Sequence, residues 1–207
     1  AKPLRAVIHA NLLRPRQGVP DAAEAGDFSG EKTFSYNAFQ IVAPDGDTIV
    51  DGAVDQETLN LMSEGAGAFS AETYQRVLDA MARATRVMIT HEHLDHVMAG
   101  ARHPDPERLA PRLRLTRMQL DALPQHAVDG ALDPAIAAAA PLELEGPTRI
   151  APGIVAAPAP GHSPGSIAIY VRTAQREYLF IGDIAWVMGS VEAARGRPRF
   201  IRWIMPG

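Results

Sequence analysis

The sequence has no cysteine among its 207 residues. That excludes disulfides, zinc–thiolate sites and thiol nucleophiles, and leaves the redox compartment unread. It also lacks an apolar run near the roughly 18 residues that a membrane span requires, and no signal peptide is recognisable within it. The chain begins at Ala1 and not at a methionine, so a cleaved leader is one reading of its start, and the compartment stays open. A strong charge of either sign is absent as well. The formal net charge is -4, which gives no basic face for phosphate and so no expectation of a nucleic-acid partner. There is no internal repeat and no long low-complexity linker. What remains is ordinary for a globular protein, 46% hydrophobic and 21% charged, with a length that suits one domain over 1–207.

Residues 11–33 are rich in Gly, Pro, Asp and Ala, so the N-terminal segment, 1–35, reads partly as loop. Residues 39–42 and 48–50 read as strands joined by a turn at Pro44-Asp45-Gly46-Asp47. Residues 70–84 read as a helix. Ser70 is placed to cap it, and Tyr74, Val77, Leu78 and Met81 recur on one face. Residues 86–90 follow as a short buried strand. Strands are expected again at 166–171 and 178–181, and a small-residue helix, interrupted by Pro134, over 131–140. This alternation predicts sheets with helices packed outside.

Straight after the strand at 86–90 comes His91-Glu92-His93-Leu94-Asp95-His96. In extended chain, residues two apart point the same way, so the imidazoles of His91 and His93 can reach one metal ion. Asp95 and His96 lie where the chain turns, and can aim at a second ion nearby. Nitrogen and hard oxygen donors suit zinc, and they also fit iron or manganese. Further on, Pro160-Gly161-His162-Ser163-Pro164-Gly165 sets one histidine in a tight loop, and Phe180-Ile181-Gly182-Asp183 ends an apolar strand in an aspartate. Taken alone, His162 reads as a surface turn residue, and Asp183 as a turn residue or helix cap.

Together these features resemble the metallo-β-lactamase superfamily, whose hallmark is His-x-His-x-Asp-His after a strand, then a Gly-His, then an aspartate at a strand end. Thr90, Ser163 to Ser166 and Ile49-Val50-Asp51-Gly52 add to the likeness, which runs from about residue 36 to residue 187. The resemblance implies an α/β fold, a four-layer αβ/βα sandwich. It implies that His91, His93 and His162 bind one metal, that Asp95 and His96 bind a second, and that Asp183 bridges them. Two such cations, zinc by expectation, lower the pKa of a shared water, so that metal-bound hydroxide attacks an ester-like bond in a lactone, thioester or β-lactam. Asp95 would orient the nucleophile or shuttle its proton. The family's last histidine has no counterpart, since no histidine follows His162. The second site is therefore expected to be completed by chain beyond Gly207.

The partner implied is a small-molecule substrate, chosen by loops expected at 53–69 and 101–135. The alternative on the same scaffold is a mononuclear iron oxidoreductase resembling the sulfur dioxygenases. A nuclease is disfavoured by the acidic charge, and a non-enzymatic relic by the intact ligand set. His9, His103 and His126 match no family ligand; His103 is expected on the surface, and His126 in a surface loop, with a place lining the cleft as the alternative. Arg195, Arg197, Arg199 and Arg202 read as a solvated face or as a grip on an anionic group. Trp186 and Met188 read as core or pocket wall.

Overall fold

A computed structural model describes residues 35–65 and 67–194, together with the backbone of 5–12. Two four-stranded sheets are stacked face to face. The first contains β1 (Arg5–Leu12), β2 (Ser35–Val42), β3 (Thr48–Val50) and β4 (Arg86–Met88) in that order. β1 and β2 are antiparallel, as are β2 and β3, whereas β3 and β4 are parallel. A parallel pair requires a crossover. Here it is made by helices α1 (Gln56–Met62) and α2 (Ala71–Arg83). After β4 come α3 (Leu94–Ala101), α4 (Pro106–Leu109), α5 (Arg117–Ala122) and α6 (Pro134–Ala137). The second sheet is an antiparallel meander of β5 (Thr148–Ala151), β6 (Ile154–Pro158), β7 (Ile167–Arg172) and β8 (Glu177–Phe180), followed by α7 (Met188–Glu192).

Period-two alternation in the first sheet divides the core. Ile41, Val50 and Met88 face inward against Ile154, Ala156, Ile167, Ile169 and Val171 of the second sheet. Their neighbours Ile49 and Val87 face outward and pack beneath Val77, Leu78 and Met81 of α2. This is the expected αβ/βα sandwich class, with the two sheets within and helices packed on the outer face of the first. The Ser70 hydroxyl accepts from the Thr73 N–H at 3.2 Å and caps α2 as the sequence predicts. Between β2 and β3 the chain turns through Gly46 at φ +110°, where a Cβ would collide with Thr85. Among the described residues no helix is long and apolar enough to cross a membrane.

Several expectations require correction. β1 was not foreseen; it takes Asn11 and Leu12 out of the expected 11–33 loop, and residues 13–33 lie outside the described residues. Pairing with β1 extends β2 back to Ser35. The expected loops 53–69 and 101–135 hold short helices, because Asp55, Asp105, Thr116 and Asp133 each cap a following N–H. Pro134 starts α6 instead of interrupting a longer helix, as its missing N–H allows at a first turn. His103 is buried, not exposed. Its Nε2 lies 3.0 Å from the Leu78 carbonyl, and the Asp105 N–H donates to its Nδ1 at 3.0 Å. Met188 is exposed, so it is not core. His9 lies on β1, and Arg195, Arg197, Arg199 and Arg202 lie outside the described residues.

Candidate metal centre

β4 runs out at Met88, and the buried pair Ile89-Thr90 carries the chain to the mouth of the sandwich. His91 to His93 form a short irregular stretch. His93 takes the N-cap position of α3, whose first turn then presents Asp95 and His96. His162 comes from the loop between β6 and β7. Asp183 comes from a 3-10 turn directly after β8. Six side chains separated by up to 92 residues in sequence therefore meet at one end of the two sheets.

The rings of His91, His93 and His162 stand edge-on to one another, and that of His96 is tilted against His91. His91 is 4.7 Å from both His93 and His162 and 4.0 Å from His96, centroid to centroid, and His93 is 4.6 Å from His162. Two sets of donor atoms each lie within 4.8 Å of one another, His91/His93/His162 and His91/His96/Asp183. His162 Nε2 lies 2.8 Å from His93 Nδ1. Asp183 reaches both sides, with Oδ1 3.3 Å from His96 Nε2 and Oδ2 3.8 Å from His162 Nε2. Asp95 Oδ2 is 3.5 Å from His96 Nε2.

Charge is arranged accordingly. Burial, with the neighbouring histidines, pushes the His91 pKa down to about 2, so the ring is neutral at physiological pH. His96 goes the other way. Burial opposes its charge, but Asp51, Asp183 and Asp95 outweigh burial and raise its pKa well above the usual range. Asp183 is likewise held ionised against burial, chiefly by the hydrogen bond and charge of His96. Asp95 is shifted up by burial and by the negative charge of Asp183.

The donor set fits a divalent ion. His91 Nε2 is buried and has no hydrogen-bond partner, which is costly unless another group occupies its lone pair. Neutral imidazoles and ionised carboxylates are the forms that coordinate zinc.

Sequence reasoning missed the residues that hold these donors. Asp51, at φ +62°, accepts from the Thr90 N–H at 2.6 Å and from the Thr90 hydroxyl, and its Oδ2 is 3.1 Å from His96 Nδ1. Pinning Nδ1–H in this way leaves Nε2 to face Asp95 and Asp183. Glu92 accepts from the Ser163 hydroxyl at 2.8 Å and from the Gly165 N–H at 3.0 Å. Gln119 Nε2 donates to the carbonyls of Ile89 and Gly165. His126, expected at the surface, is half-buried with Nε2 3.0 Å from the Glu92 carbonyl. The signals available were an aspartate ending a strand and a glutamate between two histidines. Neither reveals a partner.

A family model described as a beta-lactamase superfamily domain matches residues 59–202. No curated protein matches the sequence. Solved structures do match the fold. AiiA from B. thuringiensis, a variant with N-decanoyl-L-homoserine bound at its active site, superposes with a TM-score of 0.64 at 15% identity, covering 98% of this chain and 85% of that one. AidC, a dizinc quorum-quenching lactonase, superposes with a TM-score of 0.59 at 12% identity, over 87% of this chain and 70% of that one. A probable metal-dependent hydrolase from Staphylococcus aureus gives 0.55 at 14% identity, over 88% and 74%.

Proposed function

The chain belongs to the metallo-β-lactamase superfamily, and we propose that it is a metal-dependent hydrolase of ester-like bonds in small molecules, with lactones ahead of thioesters and β-lactams. One observation carries the reading: two donor sets share His91, whose Nε2 is buried without a hydrogen bond. His91, His93 and His162 would hold the first ion, Asp95 and His96 the second, and Asp183 stands between them. Zinc is the ion this donor set suits best, with iron and manganese also accommodated. Bound cations would supply Lewis acidity and a lowered pKa for water.

The chain's own residues supply orientation and proton handling. Asp51 fixes the His96 tautomer through Nδ1. The Asp95 carboxyl, shifted up by burial and by Asp183, is suited to take and return a proton beside a scissile bond. The side chains of Asp95 and Asp183 are each about a fifth exposed, so this side of the centre opens to solvent and substrate. Lactones are ranked first because an N-acyl homoserine lactone hydrolase and the quorum-quenching lactonase AidC share the fold.

The test is a panel of lactones, thioesters and β-lactams assayed before and after chelation and again after zinc is restored. Hydrolysis that disappears and returns supports the reading. Undiminished hydrolysis in metal-free protein overturns it, as does one iron per chain with oxygen uptake and no hydrolysis.

A further inference from the structure

Glu92 lies between His91 and His93, but its side chain is buried and meets Ser163 and Gly165 and not the histidine cluster. It is 8% exposed, and among the described residues no lysine or arginine pairs with it. Its two oxygens are each taken by one donor on the loop that carries His162, Oε2 by the Ser163 hydroxyl and Oε1 by the Gly165 N–H. A buried carboxylate without a cation is retained only where hydrogen bonds satisfy it.

The receiving loop is shaped to this group. A Cβ at Gly165 would run into the Glu92 carboxylate, so glycine is needed for the amide to approach. Ser163 is itself braced by Ser166, whose hydroxyl lies 2.9 Å from the Ser163 hydroxyl and accepts from the Ser163 N–H at 3.0 Å. The Gly165 carbonyl is held from the other side by Gln119, at 2.9 Å. The turn at 161–166 is therefore gripped from the His91–His93 segment, and His162 sits within it.

We propose that Glu92 is a positioning residue that clamps the His162 loop to the His91–His93 segment and so sets the geometry of the His91/His93/His162 donor set. The role rests on the metal-centre reading above and adds a residue to it. Carboxylates behind metal ligands typically matter 10- to 100-fold in affinity. Because the clamp joins the His162 loop to the His91–His93 segment and makes no contact with Asp95 or His96, its loss should weaken one ion and spare the other.

The experiment titrates metal-free protein with zinc against a chromophoric chelator, comparing wild type, Glu92→Ala, Glu92→Gln and Ser163→Ala, with His162→Ala and Asp95→Ala marking the two sites. Glu92→Ala should weaken the step that His162→Ala weakens by about 10- to 100-fold and leave the Asp95-dependent step unchanged. Glu92→Gln, which can still accept from Gly165 and donate to the Ser163 oxygen, should stay within about threefold of wild type, with Ser163→Ala intermediate. Unchanged titration in Glu92→Ala, or equal weakening of both steps, overturns the proposal. Hydrogen exchange at the Gly165 amide, measured without metal, separates this from failure of the hydrolase reading. If wild type binds no zinc, that reading fails. Exchange at least tenfold faster in Glu92→Ala than in Glu92→Gln still supports the clamp, and equal exchange overturns it.

Discussion

At the residue scale the decisive contact is between Asp51 and His96. Asp51 Oδ2 fixes Nδ1 and thereby frees Nε2 toward Asp95 and Asp183. Asp51→Asn presents an amide N–H to Nδ1 instead, which favours the tautomer protonated at Nε2 and closes that nitrogen to an ion. Zinc affinity at this position should fall by roughly 10- to 100-fold, as measured by competition titration. The raised His96 pKa also sets a pH dependence. The carboxylates of Asp51, Asp183 and Asp95 favour the protonated ring in metal-free protein, so an ion must displace its proton. Zinc binding at the His96 side should therefore strengthen as pH rises from 6 to 8. Binding that weakens over that range would contradict the assignment. The ligand types were legible in the sequence because spacing alone sets His91 beside His93. Asp51, Gln119 and Glu92 were not legible, since their partners lie 39, 46 and 73 residues away. Their roles exist only once the fold has brought those segments together.

At the element scale, the loops after strands and the first turn of α3 carry the donors, and their backbones are tightly constrained. Gly182, at φ +51°, turns the chain from β8 into the 3-10 turn that presents Asp183. A Cβ there would lie 2.5 Å from Thr90 Oγ1 and 3.0 Å from His91 Nδ1. Gly182→Ala should cost about 1–3 kcal/mol in denaturant unfolding, through positive φ and collision together, and should weaken zinc binding by moving Asp183. A variant as stable and as zinc-avid as wild type would show that the turn is looser than described. Elements with local signatures were readable. Ser70 and the 3.6-residue apolar repeat marked α2, and the Pro44–Asp47 turn marked the β2–β3 hairpin. The short helices after Asp105 and Asp133 carried equally good Asp-Pro start signals. Their brevity left no apolar period to read. His103 shows the same limit. A polar flank suggested the surface, but its ring is held between the Leu78 carbonyl and the Asp105 N–H.

For the whole molecule, the centre depends on two sheets that present their ends together. The layer between them is continuous and apolar, with Ile41, Val50 and Met88 on one side and Ile154, Ile169 and Val171 on the other. Ile169→Ala removes a fully buried side chain from this layer and should lower unfolding free energy by about 2–5 kcal/mol. A loss under about 1 kcal/mol would mean that the sheets do not pack as described. The sandwich was legible as a class, from strands grouped before and after helical segments and from the resemblance carried by the histidine motif. β1 escaped because its pairing with β2 is set by register across a long connection, which no local pattern records.

That His91, His93 and His162 form a metal site is tested most directly by elemental analysis of purified protein after zinc reconstitution and desalting, in wild type and His93→Ala. Wild type should retain at least about one tightly held zinc per chain, and His93→Ala should lose it. Wild type that retains no zinc, or His93→Ala that retains as much as wild type, would contradict the account.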